Sequence, residues 1–203
     1  MQKRSQGKCH KRIIREYKDS DEGRWVRCRV LSFLDTSYFD DVQREKEAYE
    51  NPSIELVAEH DGTVLGLIDV ELDTEERTIC SGEATGGMMW HLAVHPDFQR
   101  RGVATDLFDE ALSRARNAGV EHLEAWTRDD ESTISWYENR GFVERESYLH
   151  VYLTRNDAER ICDTAIEGLS INSAFARYVG DEEDQLREEF DRVHEYQQFI
   201  RSR

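Results

Sequence analysis

The chain has 203 residues, enough for one domain of ordinary size with an extension and for a sizeable hydrophobic core. Its 27 Lys and Arg against 43 Asp and Glu give a formal net charge of −16, which argues against duplex nucleic acid as a partner. Hydrophobic residues make up 38% of the chain and aromatic residues 10%, which excludes a disordered or fibrous protein. We therefore expect a folded, soluble protein.

The sequence contains no segment typical of a membrane or secreted protein. The apolar run at 88–94 is far too short to span a bilayer, and no apolar stretch follows the basic N-terminal segment, residues 1–11, as a signal peptide would require. The four cysteines are scattered without a CxxC pair: Cys9, Cys28, Cys80 and Cys162. The sequence therefore predicts a cytoplasmic protein with reduced thiols, no metal, no disulfide and no membrane contact.

The charged residues are unusual in kind as well as in number. Only five of the 27 basic residues are Lys, and 22 are Arg. High acidity with scarce lysine resembles the surfaces of salt-adapted, haloarchaeal-like proteins, where dense counterions screen self-repulsion. Residues 1–20 differ, with a net charge of +5, and both an anionic patch and a solvated terminus are compatible with them.

The predicted elements alternate between strands and helices. In chain order they are a strand (13–17), a helix (22–49), a hairpin (54–60 and 64–72), a buried strand (88–94), a helix (103–118), a strand (122–127), a short helix (132–139) and one bent strand or two strands (141–153). This order predicts an α/β fold around a single mixed sheet.

The last fifty residues, 154–203, are predicted to form a separate C-terminal extension. Acidic residues at 181–184 suit the start of a helix, because the helix dipole favours negative charge there. Leu186, Phe190, Val193 and Ile200 then predict an amphipathic helix at about 181–200. Its apolar stripe must pack on its own domain or on a second copy of the chain, so a homodimer through this extension is possible.

The segment with the most chemical information runs from Leu92 to Ala104. It predicts a strand, a tight turn and the start of a helix, where Gly102 allows close backbone approach and successive amides bind a diphosphate. Arg100 and Arg101 could add charge-assisted hydrogen bonds to the same phosphates.

This segment resembles the acyl-CoA signature of the GNAT superfamily of N-acyltransferases, including its Leu-x-Val-x-Pro strand end. The sequence from Ser135 to Phe142 is similar to the Tyr-x-x-x-Gly-Phe element of the same family. The order of elements over 12–153 also fits that fold. The resemblance implies a GNAT domain at 12–153, with six to seven mostly antiparallel strands, a splayed central strand pair and flanking helices.

The resemblance implies a role for individual residues. The backbone of Leu92, Ala93 and Val94 would pair with the pantetheine arm of acetyl-CoA, and the Val94 amide would stabilise the oxyanion. Tyr137 would contact the cofactor near its sulfur and protonate the leaving thiolate. The pyrophosphate would lie on seven consecutive residues: Gln99, Arg100, Arg101, Gly102, Val103, Ala104 and Thr105.

A general base is needed because amines are protonated at neutral pH. The resemblance favours Glu124, although its spacing to Tyr137 is one residue longer than in relatives that acetylate protein N-termini. Weaker candidates are Asp69, Glu83, His91 and His95. Asp130 stands where relatives often have a cofactor-contacting asparagine, and Met88 stands where histone-acetylating members carry their base.

The sequence thus predicts an N-acetyltransferase that moves an acetyl group directly from acetyl-CoA to a primary amine, without a metal. The acceptor stays open between a small amine, a polyamine and a protein N-terminus, and a longer acyl donor is equally compatible. The alternative is a non-catalytic acyl-CoA-binding regulatory domain. Acidic residues around the expected acceptor side would attract a cation: Glu71, Asp73, Glu75, Glu76 and Glu83.

Overall fold

A computed structural model describes residues 12–82 and 84–202, so the predicted basic segment 1–11 and the candidate base Glu83 lie outside the described residues. The chain forms two compact units, the first comprising the described residues up to Glu124 with Ser202, the second Ala125–Arg201. The described residues form eight strands and five helices: β1 (Ile13–Glu16), α1 (Glu22–Phe33), β2 (Ser53–His60), β3 (Thr63–Leu72), β4 (Gly86–Val94), α2 (Val103–Asn117), β5 (His122–Arg128), α3 (Glu131–Glu138), β6 (Val143–Leu153), α4 (Arg155–Ile161), β7 (Ala174–Tyr178), α5 (Glu183–Glu189) and β8 (Arg192–Ser202).

In the first unit, β1, β2, β3 and β4 pair in chain order, each antiparallel to the next. The predicted hairpin between β2 and β3 is confirmed, and its turn has positive φ at both Asp61 (47°) and Gly62 (77°), as a two-residue hairpin turn requires. The register of β3 against β4 shifts between Asp69 and Val70, which leaves Trp90 as an extra residue in β4. This bulge places the exposed Trp90 and the buried His91 on β4 directly before Leu92, where the predicted cofactor contacts begin.

The two helices of the first unit lie on opposite faces of this sheet. On one face, α1 contributes Trp25 and Cys28 to a buried cluster with Val57, Leu67 and Ala93. On the other face, Gly66 has room for no side chain, because a Cβ there would lie 2.9 Å from Val103 Cγ1 and 3.1 Å from Leu107 Cδ1 of α2. The missing side chain at Gly66 lets the first turn of α2 pack directly on β3.

In the second unit, β6 pairs antiparallel with β7 on one side and with β8 on the other. One face of β6 carries Leu149, Val151 and Leu153, which are buried with Phe190. Phe190 directly follows α5, and Cys162, which directly follows α4, packs against the same cluster. These short segments therefore cover that face of the second unit.

The strand count and the C-terminal segment correct two sequence-based expectations. Eight strands form instead of six to seven, and the amphipathic helix expected at 181–200 is a short helix, α5, followed by the strand β8. The physical reason is pairing: Val193, Tyr196 and Phe199 are strong strand formers that alternate between two faces, and β6 gives them a partner. The domain boundaries predicted at 11/12 and 153/154 stay predictions.

The first helix is also shorter than expected. A helix was indicated at 22–49, but α1 ends at Phe33 and the connection 34–52 is not helical. Turns at Thr36 and Asp41 begin the connection, with Thr36 N–H donating to Phe33 O at 3.0 Å and Asp41 N–H to Tyr38 O at 2.8 Å. None of the helices formed by the described residues combines the length and the hydrophobicity that spanning a bilayer requires.

The packing at Gly66 predicts that adding a single methyl group there lowers the free energy of unfolding. Gly66→Ala would place a Cβ 2.9 Å from Ala93 O and from Val103 Cγ1, so the variant should lose about 1–3 kcal/mol of unfolding free energy. The matched control is Gly23→Ala, because a Cβ at this exposed helical position meets nothing within 4 Å and should add about 0.5 kcal/mol. Chemical denaturation measures both, and equal effects would contradict the close packing.

Candidate active site

The turn after β4 has the backbone of an anion-binding site. Arg100 and Gly102 have positive φ (56° and 78°), and Gly102 is the N-cap of α2. The first intrahelical hydrogen bond runs from Asp106 N–H to Gly102 O at 3.0 Å, so the amides of Val103 and Ala104 precede the hydrogen-bonded turns of the helix. These amides and the helix dipole favour a phosphate or diphosphate. The structure therefore brings the predicted pyrophosphate residues into one turn.

Arg12 reinforces this turn from the edge of the sheet. Its Nη1 donates to Arg101 O at 2.9 Å, and its Nε donates to Asp106 Oδ2 at 2.7 Å. A Cβ on Gly102 would lie 3.1 Å from Arg12 Nη2. The guanidinium thus ties the turn to the first turn of α2 and adds a positive charge beside it, a contact that the sequence analysis missed.

The backbone of Val94 faces away from β3. His95 N–H donates to Leu65 O of β3 at 2.9 Å, and backbone groups alternate in direction along a strand, so the N–H and C=O of Val94 point to the opposite side. On that side, Gln99 Nε2 donates to Val94 O at 3.2 Å. The Val94 amide is therefore oriented away from its own hairpin, as an amide that binds a substrate carbonyl must be.

Tyr137 is a buried residue of the second unit. It lies on α3, and its ring stacks on Phe199 of β8 at 5.4 Å between centroids and meets Phe142 edge-on at 5.1 Å. Gly141, with φ of 78°, ends the turn after α3, so that Phe142 N–H donates back to Tyr137 O at 3.1 Å. The Tyr-x-x-x-Gly-Phe element thus has a structural reason for its spacing: the glycine returns the chain so that the two rings pack together.

Glu124 is buried, and its carboxylate accepts hydrogen bonds from Ser81 and Gly82. Ser81 donates its N–H (2.9 and 3.1 Å) and its hydroxyl (2.9 Å), and Gly82 donates its N–H at 3.2 Å. His122 Nε2 lies 3.1 Å from the same carboxylate. These contacts hold the loop between β3 and β4 against β5. Glu124, the candidate base, therefore also has a structural role, because it keeps this loop in place.

The same loop brings together three side chains that could hold a metal ion. Cys80, His122 and Glu124 are buried, and their ligand atoms lie within 4.8 Å of one another. Burial and the carboxylates of Asp73 and Glu124 raise the pKa of the Cys80 thiol, which is therefore protonated at neutral pH. The sequence analysis predicted no metal, and it missed this grouping because Cys80 is more than forty residues from His122 in the chain.

A buried ammonium group holds the connection 34–52 on the first unit. Lys46 Nζ lies 2.7 Å from Glu55 Oε2 and 3.2 Å from Asp69 Oδ2, and its side chain is only 4% exposed. Its charge also lies 4.6–5.5 Å from the centroids of three aromatic rings: Tyr17, Trp25 and Tyr49. Lys46 is the only lysine after residue 18. In a chain so rich in arginine, this single lysine was the one sequence signal that could have indicated an unusual environment for its ammonium group.

Asp69, a weaker base candidate, is the centre of this arrangement. Tyr49 Oη donates to Asp69 Oδ2 at 3.0 Å, whereas Oδ1 is buried with no hydrogen-bond partner among the described residues. Burial raises the pKa of Asp69 against the opposing effect of Lys46. The pKa of Tyr49 is also raised, by burial and by the Asp69 charge, so Tyr49 is a donor at any physiological pH.

His91 is buried beside a second acidic residue of the connection. Its Nε2 lies 3.6 Å from Glu47 Oε2, and Arg29 Nε lies 3.5 Å from its Nδ1. Arg29 in turn donates to the backbone oxygen of Asp41 at 2.8 Å. His91 holds the pKa of Glu47 at about 2, well below its usual value. The connection is thus fixed at several charged points along β3 and β4.

His95 and Asp130, two positions that the sequence analysis singled out, each lie directly before a short helical segment. His95 Nδ1 accepts the N–H of Asp97 at 3.2 Å and so caps the short turn that follows β4. Asp130 is the N-cap residue of α3. Met88 is buried on β4, so no charged group stands at that position.

The sequence model of the Acetyltransferase (GNAT) family matches residues 12–142 of the chain. Similar curated proteins include an acetyltransferase of Sodalis glossinidius, 28% identical over 62% of this chain and 80% of that protein. N-alpha-acetyltransferase 30 of Schizosaccharomyces pombe is 26% identical over 54% of this chain and 70% of that protein.

Solved structures show the same fold at lower sequence identity. The ribosomal-protein-S18-alanine N-acetyltransferase of Escherichia coli aligns with a TM-score of 0.58 and 13% identity, covering 95% of this chain and 94% of that one. The PaiA N-acetyltransferase of Thermoplasma acidophilum, solved with coenzyme A, aligns with a TM-score of 0.52 and 14% identity, covering 66% of this chain and 91% of that one.

The Glu47–His91 pair predicts that the contribution of Glu47 to the free energy of unfolding depends on pH. A carboxyl with a pKa of about 2 in the folded chain and about 4.5 when unfolded stabilises the fold above pH ~4.5, and this contribution is lost as the pH falls towards 2. Since the Glu47 side chain is 42% exposed, Glu47→Gln should cost about 0.5–1 kcal/mol at pH 7 and less at pH 3.

Denaturant unfolding at pH 7 and pH 3 measures this difference. Glu159→Gln, which removes an exposed ion pair with Arg155, is the control and should change little at either pH. A loss at Glu47 that does not change with pH would contradict the pairing with His91.

Proposed function

The chain belongs to the GNAT family of acetyltransferases, and from this membership we propose that it moves an acetyl group directly from acetyl-CoA to a primary amine. The observation that supports the proposal best is the turn at the start of α2, where Arg100 and Gly102 have positive φ and Gly102 is the N-cap that precedes the first amides of the helix. This turn fits a diphosphate, and acetyl-CoA supplies the thioester whose acyl carbon the amine attacks.

The Val94 amide is proposed to stabilise the oxyanion. When the amine nitrogen forms its bond to the acyl carbon, negative charge develops on the carbonyl oxygen, and a fixed N–H donor lowers the energy of that state. The orientation of Val94, away from β3, supports this role. Neither motif contains a cysteine that could form an acyl-enzyme, which supports direct transfer.

Tyr137 is proposed as the general acid. As the carbon–sulfur bond breaks, the phenol would give its proton to the departing thiolate, so that free CoA leaves as the thiol. The position of Tyr137 at the first residue of the Tyr-x-x-x-Gly-Phe element supports this assignment, and the stacking on Phe199 fixes its ring.

Glu124 is proposed as the acceptor of the amine proton. Its carboxylate is buried, and a buried carboxylate with fixed donors is held in one position. The Ser81 hydroxyl, 2.9 Å from Glu124, is the nearest group through which a proton could be relayed. Loss of that proton leaves the neutral amine that attacks the thioester.

The acceptor of the acetyl group is proposed to be a protein N-terminus. Two similar proteins are named an N-alpha-acetyltransferase and a ribosomal-protein-S18-alanine N-acetyltransferase, and these names favour a protein N-terminus among the three acceptors. We also propose a cytoplasmic location, where the free thiols of Cys28, Cys80 and Cys162 stay reduced, in a salt-adapted cell. A homodimer through 154–203 stays a prediction.

The proposed function is tested by release of CoA thiol from acetyl-CoA against small amines, polyamines and N-terminal peptides at high and low salt. Turnover on one class would support the proposal and identify the acceptor. Binding of acetyl-CoA without thiol release on any amine would contradict it. So would a stable acylated enzyme.

Tyr137→Phe should lower the rate constant of thiol release by about 10²–10³ while the KM for acetyl-CoA changes little, because only the proton donor is removed. The ring that stacks on Phe199 is retained, so the fold should be unchanged. Tyr38→Phe, in the connection 34–52, is a matched control for loss of a phenol. An undiminished rate in Tyr137→Phe would contradict the role of general acid.

Glu124→Gln should lower activity by about 10²-fold at pH 7, with the loss shrinking towards pH 10 as the free amine becomes abundant without a base. The amide keeps an oxygen for the Ser81 donors, so the loop between β3 and β4 stays attached. Ser81→Ala removes one of those donors and leaves the carboxylate. A loss in Glu124→Gln that is equal at pH 7 and pH 10 would show that the residue only positions the loop.

A further inference from the structure

The loop between β3 and β4 is held closed at its base by one carboxylate. Asp73 Oδ1 accepts the N–H of Cys80 at 3.1 Å, and Asp73 Oδ2 accepts the N–H of Gly86 at 2.8 Å. Glu121 N–H donates to Thr85 O at 2.8 Å, which joins the end of the loop to the chain just before β5. The loop therefore holds Cys80 in a fixed position beside the first residues of β5.

Two glycines leave space beside the thiol and the imidazole that this loop brings together. A Cβ on Gly86 would lie 2.6 Å from Cys80 Sγ and 2.7 Å from His122 Cε1. A Cβ on Gly82 would lie 2.8 Å from His122 Cε1 and 2.9 Å from His122 Nε2. A side chain at either glycine would fill the space around these donor atoms, so the backbone forms a cradle around the sulfur and the nitrogen.

Three donor atoms of different elements meet in this cradle. One ligand atom from each of Cys80, His122 and Glu124 lies within 4.8 Å of the others, and His122 Nε2 lies 3.1 Å from Glu124 Oε1. All three side chains belong to the first unit and are at most 8% exposed. A tetrahedral zinc ion with bonds of about 2.0–2.3 Å separates its ligand atoms by about 3.3–3.8 Å, so side-chain movements of roughly 1 Å would complete the coordination.

The hydrogen bonds of Glu124 are compatible with a bound metal ion. Ser81 and Gly82 donate to its carboxylate from the loop, and a carboxylate offers about four lone-pair directions. Carboxylates that bind metals are commonly held in place by such donors. The ion would take the place of the contact between His122 and Glu124. With a thiolate, a carboxylate and a neutral imidazole, Zn²⁺ would form a site without net charge, which suits a buried position.

We propose that Cys80, His122 and Glu124 bind a zinc ion. Thiolate sulfur, imidazole nitrogen and carboxylate oxygen are the ligands that zinc uses in proteins, whereas Mg²⁺ and Ca²⁺ prefer oxygen alone. On binding, the Cys80 thiol loses its proton to solvent and the resulting thiolate forms the bond to zinc. Three protein ligands leave a fourth position of the tetrahedral ion for water.

Zinc bound at this site would act against the proposed transfer reaction. This consequence rests on the proposed function, in which Glu124 accepts the proton of the amine. A carboxylate that binds Zn²⁺ has its charge engaged by the ion and is a much weaker base. Zinc would therefore inhibit the enzyme reversibly, and a chelator would restore its activity.

Zinc binding is tested on the full chain after treatment with a chelator. Calorimetric titration should show one Zn²⁺ bound per chain and no binding of Mg²⁺ at the same concentrations. Co²⁺, which accepts the same ligands, should give a sulfur-to-cobalt charge-transfer band in the near ultraviolet. Cys80→Ser should remove this band and weaken zinc affinity at least about 100-fold, because losing even a residue that orients a ligand costs about 10–100-fold.

The matched control is Cys162→Ser, which removes a free thiol of the second unit and should change zinc affinity less than about twofold. His122→Asn is a second site variant, so that the proposal does not depend on the folding of one protein. Zinc should raise the unfolding midpoint of the wild type and of Cys162→Ser, but not of the two site variants. Absence of zinc binding by the wild type, or an unchanged affinity in either site variant, would overturn the proposal.

Acetyl transfer with and without zinc distinguishes this proposal from the proposed function. The acetylated amine is measured by mass spectrometry, because zinc would also bind the thiol of released CoA. Zinc should lower the rate of the wild type at least about tenfold, and it should change the rate of Cys80→Ser less than about twofold relative to the zinc-free rate of the same variant.

Each other outcome bears on one of the two proposals. Zinc binding that depends on Cys80 but leaves the rate unchanged would support the site and contradict Glu124 as the base. Zinc binding by a protein that acetylates no amine would support the site and contradict the proposed function. Acetyl transfer by a protein that binds no zinc would leave the acetyltransferase assignment in place and overturn the zinc site.

Discussion

The direct contact of α2 with β3 at Gly66 is the constraint on which the turn at the start of α2 depends. A side chain at Gly66 would push the first turn of α2 off the sheet, and the amides proposed to bind a diphosphate belong to that turn. Arg12 fixes the same turn from the side, through Arg101 and Asp106. The proposed cofactor site therefore depends on how closely a helix approaches a strand, and the charged residues of the turn add to a geometry that packing has already set.

Buried charged side chains hold two long segments of the first unit in place. The ammonium of Lys46 holds the connection 34–52 between Glu55 and Asp69, and the carboxylate of Glu124 holds the loop between β3 and β4. Both segments would otherwise be long and poorly attached. Removing one partner of such a pair leaves an uncompensated buried charge, which is far more destabilising than the loss of a surface ion pair. The loops around the site are thus kept in place by few but strong contacts.

The sequence alone was sufficient to predict those elements that local signals determine. The hairpin at Asp61 and Gly62 and the start of α2 after Gly102 follow from turn chemistry and periodicity, and the family assignment from the two motifs is confirmed. The strand β8 was missed, because spacings of three and four among its apolar residues resemble a helix and its partner β6 lies far away in the chain. For the burial of Lys46 the sequence offered one weak signal, that it is the only lysine after residue 18, since nothing local indicates that an ammonium group leaves water.

The pairing of β6 has a consequence for the growing polypeptide on the ribosome. Both neighbours of β6, β7 and β8, come later in the chain, with residues 154–191 separating β6 from β8. During translation β6 therefore emerges with two unpaired edges, and unpaired edges invite association with other nascent chains. Val143, at the start of β6, is exposed, but Glu144, Arg145 and Glu146 follow it. Three consecutive charges at the first part of the strand to leave the exit tunnel would keep this edge from pairing with another chain until its own partners are synthesised.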